Sequence, residues 1–104
     1  MINREVYLEE KQAQIDMWIG KLDHLDALCR DAGNDVKGEF KDQIKELSQN
    51  LDELDSMFSE FQELNDYGRE KFRNVVEKNW REIEESFEYS ISEYEHMIRA
   101  RAKE

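Results

Sequence analysis

Between Phe72 and Tyr94 the apolar residues are Phe72, Val76, Trp80, Ile83, Phe87, Ile91 and Tyr94, with gaps of 4, 4, 3, 4, 4 and 3. That period places all seven on one stripe of a helix. The intervening Glu77, Lys78, Arg81, Glu82, Glu84, Glu85 and Glu88 read as a charged outer face. Leaving such aromatic bulk in water costs about 1.5–3 kcal/mol per large side chain, so the rest of the chain must cover it.

A second stripe runs Leu8, Ile15, Trp18, Leu22, Leu25, Cys29, Ala32, Val36. From Ile15 its gaps alternate 3 and 4, a heptad seam, and Lys11 holds its one polar position. Asn3 is the candidate N-cap, with Glu5 in the first turn. A third stripe follows at Ile44, Leu47, Leu51, Leu54, Phe58 and Phe61.

Between the second and third stripes the rhythm changes, because Ala32, Val36, Phe40 and Ile44 are four apart. A continuous helix absorbs such a stutter by local unwinding. The same place also reads as a break, with Gly33 as a left-handed C-terminal cap and Asn34 or Asp35 as the next N-cap. Gly38 weakens the helix again. A second interruption, Leu64-Asn65-Asp66-Tyr67-Gly68, offers Asn65 or Asp66 as a cap. Glu77–Arg81 and Glu95–Arg99 are i,i+4 pairs, and Arg99, Arg101 and Lys103 suit a helix C-terminus.

The pattern predicts one all-α coiled-coil domain over residues 1–104, with helical segments at about 3–32, 35–63 and 66–102. Folding at Gly33 and Asn65 brings Trp18 and Trp80 to within about 3 Å in height, at 1.5 Å per residue. Two tryptophans in one layer suit an antiparallel three-helix bundle. A helix unbroken through Gly33 would instead give a long helical hairpin, whose overhanging half a second copy covers as a swapped dimer.

Charge narrows the function classes. The net charge is −11, which repels nucleic-acid phosphates and anionic lipid. No stretch approaches the ~20 apolar residues of a membrane span. MINREVYLEEKQ carries no export signal, and a single cysteine excludes an internal disulfide, so a cytoplasmic protein is expected. The absence of proline permits long helices.

Candidate chemistry is sparse. Glu93-x-x-His96 is half of a ferritin-like di-iron ligand set, but no second motif exists, since Lys21 stands three residues before His24. His96 is therefore expected to face solvent. Cys29, on the seam beside Leu25 and Ala32, is expected to be a buried structural thiol. Asp52-Glu53-Asp55 and Glu82-Glu84-Glu85-Glu88 lack the glycine bend of a calcium loop and read as solvated helix faces. No phosphate-binding loop or nucleophile elbow is present. The reading is therefore not an enzyme, with no catalytic residue, cofactor or metal ligand assigned.

The segments AQIDMWIGKLDHLDA, FKDQIKELSQNLDEL and VEKNWREIEESFEYSISEY resemble those of a small bacterial coiled-coil family, best seen in cyanobacteria and proteobacteria. The matching positions are Ile15 and Trp18, then Gln43 and Ile44, then Val76, Glu77, Lys78, Trp80 and Phe87. They span roughly residues 11 to 94. The resemblance implies a helical fold and carries over no catalytic residue. The chain departs from that pattern at Gly33-Asn34 and Gly38, where the family favours an unbroken helix. Spectrin-type repeats are similar more weakly, through their paired tryptophans.

The function expected is a structural or protein-interaction module that associates with itself or another helical protein. One alternative is a set of amphipathic helices lying on lipid. Another is a small secreted helical hairpin, suggested by Trp18-Ile19-Gly20 and Tyr89-x-x-x-Glu93.

Overall fold

The computed structural model describes residues 4–103. The candidate cap Asn3 lies outside the described residues. Three helices follow in order: α1 (Arg4–Ala32), α2 (Asn34–Glu63) and α3 (Asp66–Ala102). Each packs on the other two. The rod they form measures 55 × 21 × 17 Å, with a radius of gyration of 16.4 Å against about 13 Å for a compact chain of this length. This is the three-helix bundle expected from the stripes.

The chain breaks at Gly33 rather than running through it. Gly33 has φ 113° and ψ 167°, a backbone that side-chain-bearing residues rarely adopt. Its N–H donates to the Arg30 carbonyl at 3.3 Å, and its own carbonyl accepts from Lys37 N–H at 3.0 Å. One residue thus ends α1 and starts α2. The expected cap at Asn34 or Asp35 is therefore corrected: Gly33 is the N-cap residue, Asn34 is already helical, and no side chain bonds the cap. So abrupt a reversal leaves no room for a separate capping residue.

The second link follows the expected chemistry. Asn65 caps α3, its side-chain oxygen accepting from Gly68 N–H at 2.8 Å. Gly68 is tightly placed: a Cβ there would stand 3.2 Å from Leu64 Cβ and 3.3 Å from Asn65 Oδ1. The Arg69 side chain reaches back to donate to the Gln62 carbonyl, tying α3 to the end of α2.

The core centres on one aromatic layer drawn from all three helices. Trp18 of α1 lies 5.8 Å from Trp80 and 5.7 Å from Phe87 of α3, and Phe58 of α2 meets Trp80 edge-on at 5.6 Å. All four rings are buried. Leu25, Leu47, Leu51 and Leu54 are buried as expected, whereas Leu22 and Ile83 are only half-buried.

The α3 stripe needs two corrections. Phe72 is 45% exposed, and Ile98, beyond the expected stripe, is buried. Helical drift accounts for both. Eight residues from Trp80 back to Phe72 turn the side chain about 80° off the seam, while seven residues from Ile91 to Ile98 turn it only about 20°.

Candidate functional site

The α1–α3 contact carries an ordered polar seam. Trp80 Nε1 donates to Gln14 Oε1 at 2.7 Å, and Trp18 Nε1 donates to Glu88 Oε1 at 2.7 Å. Lys21 Nζ holds the second Glu88 oxygen at 2.7 Å. The Tyr7 hydroxyl donates to Glu77, Lys11 Nζ lies 3.4 Å from the same carboxylate, and that ammonium sits 4.6 Å from the centre of the Trp80 ring. The four hydrogen bonds join positions 70, 66, 70 and 67 apart. A near-constant separation means that α1 and α3 run parallel in a single register.

The seam tunes its acids. The Lys21 hydrogen bond holds the Glu88 carboxyl below its usual range, against the opposing effect of burial and with help from Trp18. Burial pushes Glu77 upward, but the Tyr7 hydrogen bond and the Lys11 and Arg73 charges outweigh it and leave the carboxyl lowered. Burial, then the Glu77 carboxylate, raises the Tyr7 phenol. These groups satisfy one another, and their chemistry is to lock helix register. Glu77 and Glu88 are therefore corrected from outer-face residues to interhelical acceptors. Side-chain period alone does not show which flank of α3 meets α1; the alignment of Lys11 and Lys21 with these two acids emerges only after the turns set the register.

The other singled-out residues are dispersed. Cys29 is fully buried, and burial pushes its thiol up, with Asp26 adding to the effect. Glu93 and His96 are exposed on α3, and the Glu93 carboxylate one turn on raises the Tyr89 phenol. His24 Nε2 is 4.0 Å from Glu95 Oε1, beside an open groove of about 550 Å³ that also touches Met17 and Gly20. Among the described residues no three His, Cys, Asp or Glu side chains are grouped to hold a metal ion. Asp52, Glu53 and Asp55 are exposed on α2. Trp18-Ile19-Gly20 lies inside α1, away from either interhelical turn.

A different feature stands out on the α2–α3 face. Tyr67, Phe72 and Val75 are 75%, 45% and 54% exposed within the first turns of α3. Phe72 and Val75 join Met57 of α2 and its C-cap residue Leu64 around an open groove of about 250 Å³. A second groove of about 270 Å³, between Glu53 and Glu82, shares Met57 and continues the first along the rod. Lys71 Nζ lies 5.8 Å from the Phe72 ring centre. Residues 69–81 hold five basic and two acidic residues, a local positive excess on a strongly acidic chain. Sequence reasoning assigned Phe72 to the core and passed over Val75. The available signal was Val75 beside Val76, an apolar residue one step off the stripe.

Compared with known proteins, the chain matches no family model, no curated protein and no solved structure. Among the described residues no helix is long and apolar enough to cross a membrane.

Proposed function

We propose that this protein is a non-enzymatic helical interaction module that works by presenting a rigid rod surface to another helical protein or to a second copy. The observation that carries the reading is the exposed apolar pair Phe72 and Val75 beside half-buried Met57 and Leu64 along one groove, whereas Val6, Met17, Ile19, Tyr89 and Met97 are exposed elsewhere on the rod. Exposed apolar residues scattered singly need no explanation; a contiguous group lining a groove between two helices is a helix-docking feature. The polar seam supports a non-catalytic role, because its acids and amines are engaged with one another, and Lys21 and Glu88 border an open groove. Burial of both tryptophans argues against the lipid-surface alternative, since opening the bundle would forfeit its central layer.

The test is a photo-crosslinking residue placed at Val75 and, separately, at the exposed Ile19 of α1 in the living producer cell. The Val75 probe is expected to yield protein–protein adducts, and the Ile19 probe markedly fewer. Adducts to lipid alone, or none from Val75, would overturn the reading. Co-sedimentation with neutral and anionic vesicles is expected to leave the protein in the supernatant.

A further inference from the structure

We infer that the α2–α3 face is the contact of a two-fold homodimer, in which α2 of each copy lies over α3 of the other; this rests on the interaction-module reading above. The argument is charge complementarity around the apolar groove. On the α3 side Val75 is flanked along its own face by Lys71 and Lys78, four residues before it and three after. On the α2 side Met57 is flanked in the same way by Glu53 and Glu60. All four charged residues are exposed, and among the described residues none takes part in an ion pair of the monomer.

Both pairs are seven residues apart, two helical turns on one face. Measured from the turn at Leu64 and Asn65, Lys71 and Lys78 each lie two residues farther along their helix than Glu60 and Glu53. That offset is about 3 Å in height, which a lysine side chain spans. Around the Val75 and Met57 centre the face is thus acidic on the α2 side, basic on the α3 side and apolar between, and Glu82, one turn beyond Lys78, brings an acid onto the α3 side farther along the rod.

Symmetry then selects the arrangement. A two-fold axis parallel to the helices preserves height and exchanges left for right, so Lys71 meets Glu60 of the other copy and Lys78 meets its Glu53. An axis across the helices would set acid on acid and base on base. The favoured operator forms each ion pair twice and closes, so association stops at two copies. Phe72, Val75, Met57 and Leu64 supply the apolar centre and the charges supply register and specificity. The exposed apolar area is small, so the dimer is a reversible one that grows weaker with added salt.

Sedimentation equilibrium on the full chain, from micromolar to millimolar concentration, tests this with two double variants. K71E/K78E makes both flanks acidic, and E53K/E60K makes both basic. The wild-type chain is expected to dimerise, each variant alone to associate at least about tenfold more weakly, and their equimolar mixture to recover a heterodimer. Far-UV circular dichroism checks that each variant keeps its helices, as the exposure of all four positions leads one to expect.

A wild-type chain that stays monomeric throughout would overturn the proposal, as would variants that associate like wild type or a mixture that fails to recover. Protein adducts from the Val75 crosslinker alongside any of those results would leave the interaction-module reading standing and discard only the homodimer. Lipid adducts alone would discard both.

Discussion

Trp18 and Trp80 stand 5.8 Å apart between ring centres, their planes inclined at 35°, and each sends its N–H to an acceptor on the other's helix. Burying an indole without a partner for its N–H is costly. Here Glu88 and Gln14 sit where the rings reach the edge of the core, so the layer is apolar inside and satisfied at its rim. The same pair of bonds fixes the relative height of α1 and α3, which converts two core residues into a register device.

Trp80→Ala is expected to cost about 3–5 kcal/mol, a large share of the stability of a domain this small. It removes a ring packed on Trp18 and Phe58 and leaves Gln14 and Lys11 facing a void. Trp80→Phe keeps most of the packing and loses the Gln14 bond, so its cost should be nearer about 1–2 kcal/mol. Urea melts separate the two. A loss below about 1 kcal/mol for the alanine variant would place Trp80 outside the core.

The shared layer was legible in the sequence because it needs only stripe spacing and two turn positions, and both are local signals. Asn65 was legible for the same reason, since a cap and its bond lie within one turn. The polar seam was not. Glu88 and Trp18 are 70 positions apart, and only the assembled register reveals that one accepts from the other. Phe72 was misplaced because a mixed 3 and 4 spacing hides slow rotation of the stripe, and consecutive gaps of 4 carry a residue out of the seam. The apolar α2–α3 face was hidden behind the same error.

Glycine substitutions should act with opposite signs at two neighbouring positions. Gly38 lies inside α2 with open space around it, so Gly38→Ala is expected to stabilise by about 0.5–1 kcal/mol. Gly33 sits at φ 113°, and alanine there strains the turn by about 1–3 kcal/mol. Straightening α1 into α2 relieves that strain and leaves the Trp18 seam to be covered by a second copy. Thermal melts of both variants, with light scattering on Gly33→Ala, check this. The swapped form should appear as a doubled molar mass that persists in salt, unlike the salt-sensitive association of the α2–α3 face.

Acid should weaken the bundle through the seam. Glu77 and Glu88 are held below the carboxyl range of an unfolded chain, about 4.3, so as pH falls the unfolded state takes up protons first. Their contribution is complete above that value and is lost as pH drops through the lowered folded-state values. Glu88→Gln is expected to be less stable than wild type near neutrality and to converge with it in acid. Urea midpoints collected between about pH 7 and pH 3 give the comparison. Parallel curves would mean that Glu88 titrates alike in both states.

Cys29 reports on how the bundle opens. Its side chain is wholly buried in the α1 seam, and burial, reinforced by Asp26, disfavours the thiolate that reagents attack. Reaction with a thiol reagent therefore requires an opening of the structure. If only global unfolding exposes it, a stability of about 5 kcal/mol slows labelling by roughly three to four orders of magnitude relative to the urea-unfolded chain. The residue lies four positions before the Gly33 turn, however, where the last turns of α1 can fray from the other helices on their own. Opening by that route would make labelling faster than global stability allows and nearly independent of low urea. Labelling rates measured across a urea series should distinguish the modes, with Trp80→Phe as the control. Global opening should speed labelling in that variant by the full loss of stability, whereas fraying confined to the α1 end should leave the rate nearly unchanged, because the Trp18–Trp80 layer stays closed. Labelling as fast in buffer as in concentrated urea would contradict the burial of Cys29 itself.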